Sequence, residues 1–280
     1  MTRTVSGVST LVATVCLTVL VWGSTVRTAA AQDSRLLVVT GVSGDEDHAK
    51  QFHAWATKLM DAARTRDGVP DTNITYLAER TEIDPAHVRV RSTRENVEKA
   101  VADLAAKSKP DDQIVIVLIG HGAFDGKVAS FNLPGPDLNA TEWATLLSKL
   151  AAQRVAFVNT TASSGPFLAA VAAPGRTVVT ATKTGGERNE PKFGEFFTEA
   201  FGDLSADGDR NGHVSILEAF NYANNKVVKA YEQDGLLRTE HAAIDDGGEG
   251  KLAGTQFLTA HPSDGGLKVD TSDPAMRGLV

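Results

Sequence analysis

His121 stands between Gly120 and Gly122, just past the most apolar run of the chain, Gln113-Ile114-Val115-Ile116-Val117-Leu118. An imidazole there can act as a general base, since its proton affinity lies near neutral pH. The unhindered N–H of Gly122 can approach a developing oxyanion. A turn histidine with glycines for tight geometry accounts for the same three residues. Some forty residues later a second apolar run, Arg154–Thr160, ends in Thr161-Ala162-Ser163-Ser164-Gly165. Ser163 and Ser164 offer hydroxyls, but no Gly-x-Ser-x-Gly elbow frames either. A one-residue shift at a strand end swings a side chain away from a base that must lie within about 3 Å. Asp125 is the nearby carboxylate that could orient His121.

A second pattern points to divalent-cation chemistry. Asp207-Gly208-Asp209-Arg210-Asn211-Gly212-His213-Val214-Ser215-Ile216-Leu217-Glu218 matches the twelve-residue EF-hand calcium loop. Asp207, Asp209 and Asn211 supply side-chain oxygens and Gly212 the sharp turn. His213 supplies its carbonyl, Ser215 holds a water, and Glu218 gives a bidentate carboxylate. Phe193, Phe196, Phe197 and Ala200 make an incoming helical face, and Phe220, Ala223, Val227 and Tyr231 an outgoing one. The expected cofactor is Ca2+, as a structural staple, since sensor loops usually pair. An Asp/Gly-rich turn capping the second helix is the plainer alternative. Asp245, Asp246 and Glu249 read as a solvated turn, with a second ion as the alternative, and His241 as an ordinary histidine.

Strands and helices must alternate to position these residues. Leu36–Thr40 is an apolar, β-branched run ending in the Gly41–Gly44 turn region. Phe52, Trp55, Ala56, Leu59 and Met60 share one face of a helix over about 47–66. Asn73–Leu77 reads as a strand. Ser92 and Glu95 form a capping box that opens a helix striped by Val97, Val101 and Leu104. The run before His121 is apolar throughout, which predicts a central strand buried on both faces. Trp143, Leu146, Leu147 and Leu150 mark a further helix, and Arg154–Thr160 and Thr177–Thr182 the last two strands. The predicted fold is therefore α/β, a mostly parallel sheet with helices on both faces, plus a helix–EF-hand loop–helix element. Ligands of such sheets sit beyond the carboxyl ends of strands, where His121 and Thr161–Gly165 both lie.

The order strand, helix, strand, helix, strand-His-Gly, helix, strand-loop, strand over roughly residues 35–200 resembles the caspase and legumain superfamily. The resemblance implies a caspase-like three-layer sandwich. In that superfamily the loop after the second site strand reads approximately Asp/Glu-Ser/Ala-Cys-x-Ser-Gly. Setting its Ser-Gly on Ser164-Gly165 places the cysteine position on Ala162 and the acidic position on Thr160. His121 then matches the general base and Gly122 the oxyanion donor, while Ala162 lacks the thiolate that attacks a peptide. Ala181-Thr182-Lys183 through Glu195-Phe196-Phe197 resembles the specificity-loop region and the Gly-x-Phe-Thr helix after it.

The single cysteine of the chain is Cys16, inside an N-terminal segment with the marks of an export signal. Arg3 is followed by an apolar stretch from about Val8 to Trp22, and Ala29-Ala30-Ala31 fits a cleavage site. Removal of residues 1–31 takes away Arg3 and Arg27 and no acids, moving the formal charge from −7 to −9. That charge argues against nucleic acid or an anionic membrane as partner, because both select basic patches. No later stretch is long and apolar enough to span a bilayer. The expected organisation is a signal peptide at 1–31 and an α/β domain at 32–205. The calcium loop and C-terminal helical part follow at 206–261, with a flexible tail at 262–280. Three readings of function follow: an exported caspase/legumain-like pseudo-peptidase that binds peptide or protein segments, a hydrolase using Ser163 or Ser164 with His121, and a structural calcium-binding protein.

Overall fold

The computed structural model describes residues 1–2, 33–110, 112–151 and 153–247. The expected export signal with Cys16, Glu249 and the 262–280 tail lie outside the described residues. The chain opens with β1 (Ser34–Thr40), α1 (Glu46–Thr65), β2 (Ile74–Ala78), β3 (Val88–Arg91), α2 (Arg94–Lys107) and β4 (Gln113–Ile119). Three short strands follow, β5 (Gly122–Phe124), β6 (Ala129–Phe131) and β7 (Leu138–Asn139), and then α3 (Ala140–Leu147). The remainder is β8 (Arg154–Asn159), α4 (Gly165–Val171), β9 (Arg176–Thr180), α5 (Phe193–Ala200), α6 (Ile216–Gln233) and β10 (Ala243–Asp245).

Seven strands form one sheet in the order β10-β9-β8-β4-β1-β2-β3. Every neighbouring pair is parallel except β10 against β9. Parallel neighbours need crossover helices, and these cover both faces, which is why the inner strands read as unbroken apolar runs. Leu36 and Val38 of β1 join Phe52, Trp55, Phe193, Phe197 and Phe220 from α1, α5 and α6. Leu37 and Val39 turn the other way, into Val101, Leu104, Trp143, Leu147 and Phe167 from α2, α3 and α4. β4 holds the centre of the sheet, as its composition predicts. Its carboxyl end therefore meets those of β1 and β8, and that junction positions the site.

Local chemistry sets the helix starts. Asp45 caps α1 by accepting from the amides of Asp47 and His48 at 3.0 and 2.9 Å. Asn139 and Glu142 form a capping box at α3, and Glu142 also takes both terminal nitrogens of Arg94, tying α3 to α2.

The structure departs from expectation in three places. The cap of α2 is Thr93, which accepts from the Asn96 amide; Ser92 is fully buried and donates to the Thr40 carbonyl at 2.6 Å. Sequence spacing alone does not separate two adjacent hydroxyl residues. The segment between His121 and α3 folds as the separate β5-β6-β7 sheet, whose short strands carry no clear alternation. Asp245 lies in β10, buried on the edge of the main sheet, rather than in a solvated turn.

Candidate functional site

His121 follows β4, and its Nε2 lies 3.1 Å from the Ser43 carbonyl. A carbonyl only accepts, so Nε2 carries hydrogen and Nδ1 is left to take or release a proton. Ser43 is itself held, because its N–H and hydroxyl both donate to Glu79 Oε2, at 3.0 and 2.6 Å. The ends of β1, β2 and β4 thus cooperate to set one ring. Phe52 and His48 of α1 pack edge-on against it, with centroids 5.4 and 5.2 Å away. Asp125 does not orient His121. Its carboxylate accepts from the Lys127 and Val128 amides in the β5–β6 turn, an arrangement that holds it below the ordinary carboxylate range.

The Thr161–Gly165 loop lies against this strand end. A Cβ on Gly122 would fall 2.3 Å from the Ala162 carbonyl oxygen and 2.4 Å from Thr161 Oγ1, so only glycine permits the contact. Asn159, fully buried, accepts from both the amide and the hydroxyl of Thr161. Ala162 is 8 % exposed. Ser163 adopts a left-handed backbone, φ 56°, with its N–H bonded to the Glu187 carbonyl at 2.8 Å. Its hydroxyl is buried and has no hydrogen-bond partner among the described residues. Ser164 turns its hydroxyl to Thr182, 3.1 Å from Oγ1. Among the described residues, neither serine hydroxyl is hydrogen-bonded to His121. Gly165 abuts Lys183, whose carbonyl carbon would lie 2.3 Å from an added Cβ.

The Ala181–Lys192 segment between β9 and α5 is anchored by two glutamates that no local pattern marks. Glu187 accepts from the Lys183 and His241 amides, and its other oxygen faces His241 Nδ1 at 3.2 Å. Glu240, 2 % exposed, accepts from the amides of Lys192 and Phe193 and so holds the start of α5. Burial pushes its carboxyl up, against the pull of those amides. His241 lies 54 positions from Glu187, and Lys192 and Phe193 lie 48 and 47 from Glu240, which is why neither anchor is readable from spacing. Ser43 was within reach, since it occupies the end of β1, where the strand-end rule looks.

The calcium-loop residues fall into two groups. Asp207, Asp209 and Glu218 each place a carboxylate oxygen within 4.8 Å of the others. Asp207 accepts from the Asn211 and Gly212 amides, and Glu218 Oε1 from that of Gly208. Asn211 lies beside Asp209, with its amide nitrogen 2.9 Å from Oδ2. The Ser215 hydroxyl instead joins Glu218 in the capping box of α6, and the His213 ring faces Asp67 at 3.0 Å. Gly212 has φ 91°, the left-handed turn its place requires. Burial, and then the neighbouring charge of Glu218, raise the Asp209 carboxyl; burial also opposes ionisation of Asp207, but the Gly212 and Asn211 amides bring it low. Three acids crowded this way present a donor set of hard oxygens suited to calcium.

No protein-family model and no curated protein matches the chain. Among solved structures it is similar to the Drosophila initiator caspase Dronc at 13% identity, with a TM-score of 0.46, over 79% of this chain and 83% of that chain.

Proposed function

We propose that this chain is an exported, caspase/legumain-like pseudo-peptidase that binds peptide or protein segments in the cleft beside His121 without cutting them, with calcium at Asp207–Glu218. The observation that supports the reading is the contact of Gly122 with the Thr161–Ala162 backbone, which brings the strand end of the oriented His121 against the loop whose Ala162 carries only a methyl group. A methyl cannot attack a carbonyl, so the steps that need a thiolate have no agent. What remains is recognition: a glycine N–H able to bind a carbonyl oxygen, and the His121 imidazole beside it. Asp207, Asp209, Asn211, the His213 carbonyl, a water on Ser215 and Glu218 would hold the calcium, which neutralises the three crowded carboxylates. Nothing around Ser163 or Ser164 favours either as a nucleophile.

Incubation of the protein with a mixed peptide library, with and without calcium, tests this. Retained peptides without cleavage products, and weaker retention by His121→Ala, are expected. Cleavage that disappears in His121→Ala would overturn the reading in favour of a serine hydrolase. Absence of any binding would leave a structural calcium protein.

A further inference from the structure

The group that binds the Ala181–Lys192 segment to α1 is His48. Its Nδ1 lies 2.7 Å from Asp45 Oδ2 and its Nε2 3.1 Å from Glu190 Oε2. Both carboxylates only accept, so the two contacts are satisfied together by the imidazolium alone. A neutral ring has one N–H and turns a lone pair on the other acid. We propose that His48 is a proton-operated clasp that holds the Ala181–Lys192 segment against α1 at low pH and releases it as pH rises, changing access to the His121 side of the cleft.

Three features locate the device. Asp45 is the cap of α1, so one jaw is fixed by the helix start. Glu190 is half exposed in the segment after β9 and meets His48 across the gap to α1. The His48 ring also stacks edge-on against His121, so any displacement of His48 is felt at the base. The charged or titratable groups that face His48 are Asp45 from the cap of its own helix, Glu190 from the segment after β9, and His121 from the end of β4. Phe52 completes its surroundings. The hydrogen bond to Asp45, and next that to Glu190, raise the His48 pKa above the ordinary imidazole value. The sign follows: the clasp is fully made below about pH 6.5 and is lost as pH climbs through the raised value. Only the consequence for the cleft rests on the peptide-binding reading. The clasp itself is read from the protein alone, so the two fail separately.

The test is an NMR titration of the histidine rings combined with amide exchange between pH 5.5 and 8.5. His48 is assigned by its absence in His48→Gln. Protection at Lys183, Glu187 and Ser163, corrected for intrinsic exchange, is expected to fall severalfold across the range in the wild type. It should stay flat in His48→Gln and in Glu190→Gln. His241 contacts Glu187 in the same segment, so His241→Gln serves as a control that must keep the wild-type fall. A His48 pKa at or below the ordinary value overturns the proposal. So does equal pH dependence in Glu190→Gln, a surface change that leaves folding intact.

Discussion

Under the proposed reading, one sulfur atom separates Ala162 from a cysteine nucleophile. His121 keeps Nδ1 open because Nε2 is engaged by the Ser43 carbonyl, and Gly122 keeps its close approach to the loop. Ala162→Cys should therefore acquire a thiol of lowered pKa, since an adjacent imidazolium brings a cysteine from about 8.5 into the range of roughly 3.5–7.5. The expected outcome is iodoacetamide alkylation at pH 6.5 severalfold faster than in Ala162→Cys/His121→Ala, with peptide cleavage appearing in the single variant. A thiol that alkylates equally slowly in both would mean that base and nucleophile position do not face each other. The strand-end places of His121, Gly122 and Ala162 were readable in the sequence, since each follows an apolar run. The orientation of the base was not, because a backbone carbonyl leaves no mark on residue identity.

Elements are joined here by a few polar ties laid over apolar packing. Arg94 of α2 takes Glu142 of α3 through both terminal nitrogens, at 2.7 and 3.0 Å, and donates to the Asp137 carbonyl. Arg94 is the first cause of the lowered Glu142 pKa; burial opposes it and the Asn139 amide assists. A carboxyl lowered in the folded state stabilises above its unfolded value and loses that contribution as pH falls through the folded one. Thermal melts of the wild type should therefore drop as pH falls below about 4.5. Glu142→Gln should melt lower at pH 7 and show a shallower acid limb. Parallel acid limbs in the two proteins would show that the pair carries no linkage. Helix faces such as Phe52-Trp55-Leu59 were legible because burial repeats with the helical period. The β5-β6-β7 sheet was not, since strands of two or three residues hold too little alternation to register.

At the scale of the whole molecule, α5 and α6 link the Thr160 strand end to the Asp207–Glu218 loop. Gly194 at the start of α5 lies against Thr160 and Trp55, and α6 begins inside the loop with Glu218 in its first turn. Calcium should raise the melting temperature by about 5–10 °C at a hundredfold excess over its dissociation constant. Glu218→Gln keeps a side chain able to complete the capping box while removing one charge. It should melt in chelator no lower than the wild type, with the calcium-dependent rise abolished. An unchanged wild-type melt on adding chelator would sink the assignment.

The sequence by itself determined the layer plan, the place of β4 at the centre, the His121–Gly122 and Ala162 strand ends, and the spacing of Asp207, Asp209, Asn211 and Glu218. Each is a local or periodic property, and burial on a repeating face writes itself into residue type. The tertiary structure alone decided that Ser43 and Glu79 set the His121 ring, that Glu187 and Glu240 anchor the Ala181–Lys192 segment, and that His48 reaches Glu190 across 142 positions. Those contacts depend on which strand ends become neighbours. Parallel pairing brings together groups remote in the chain, and a pattern of apolar residues records that a strand is buried without recording beside what.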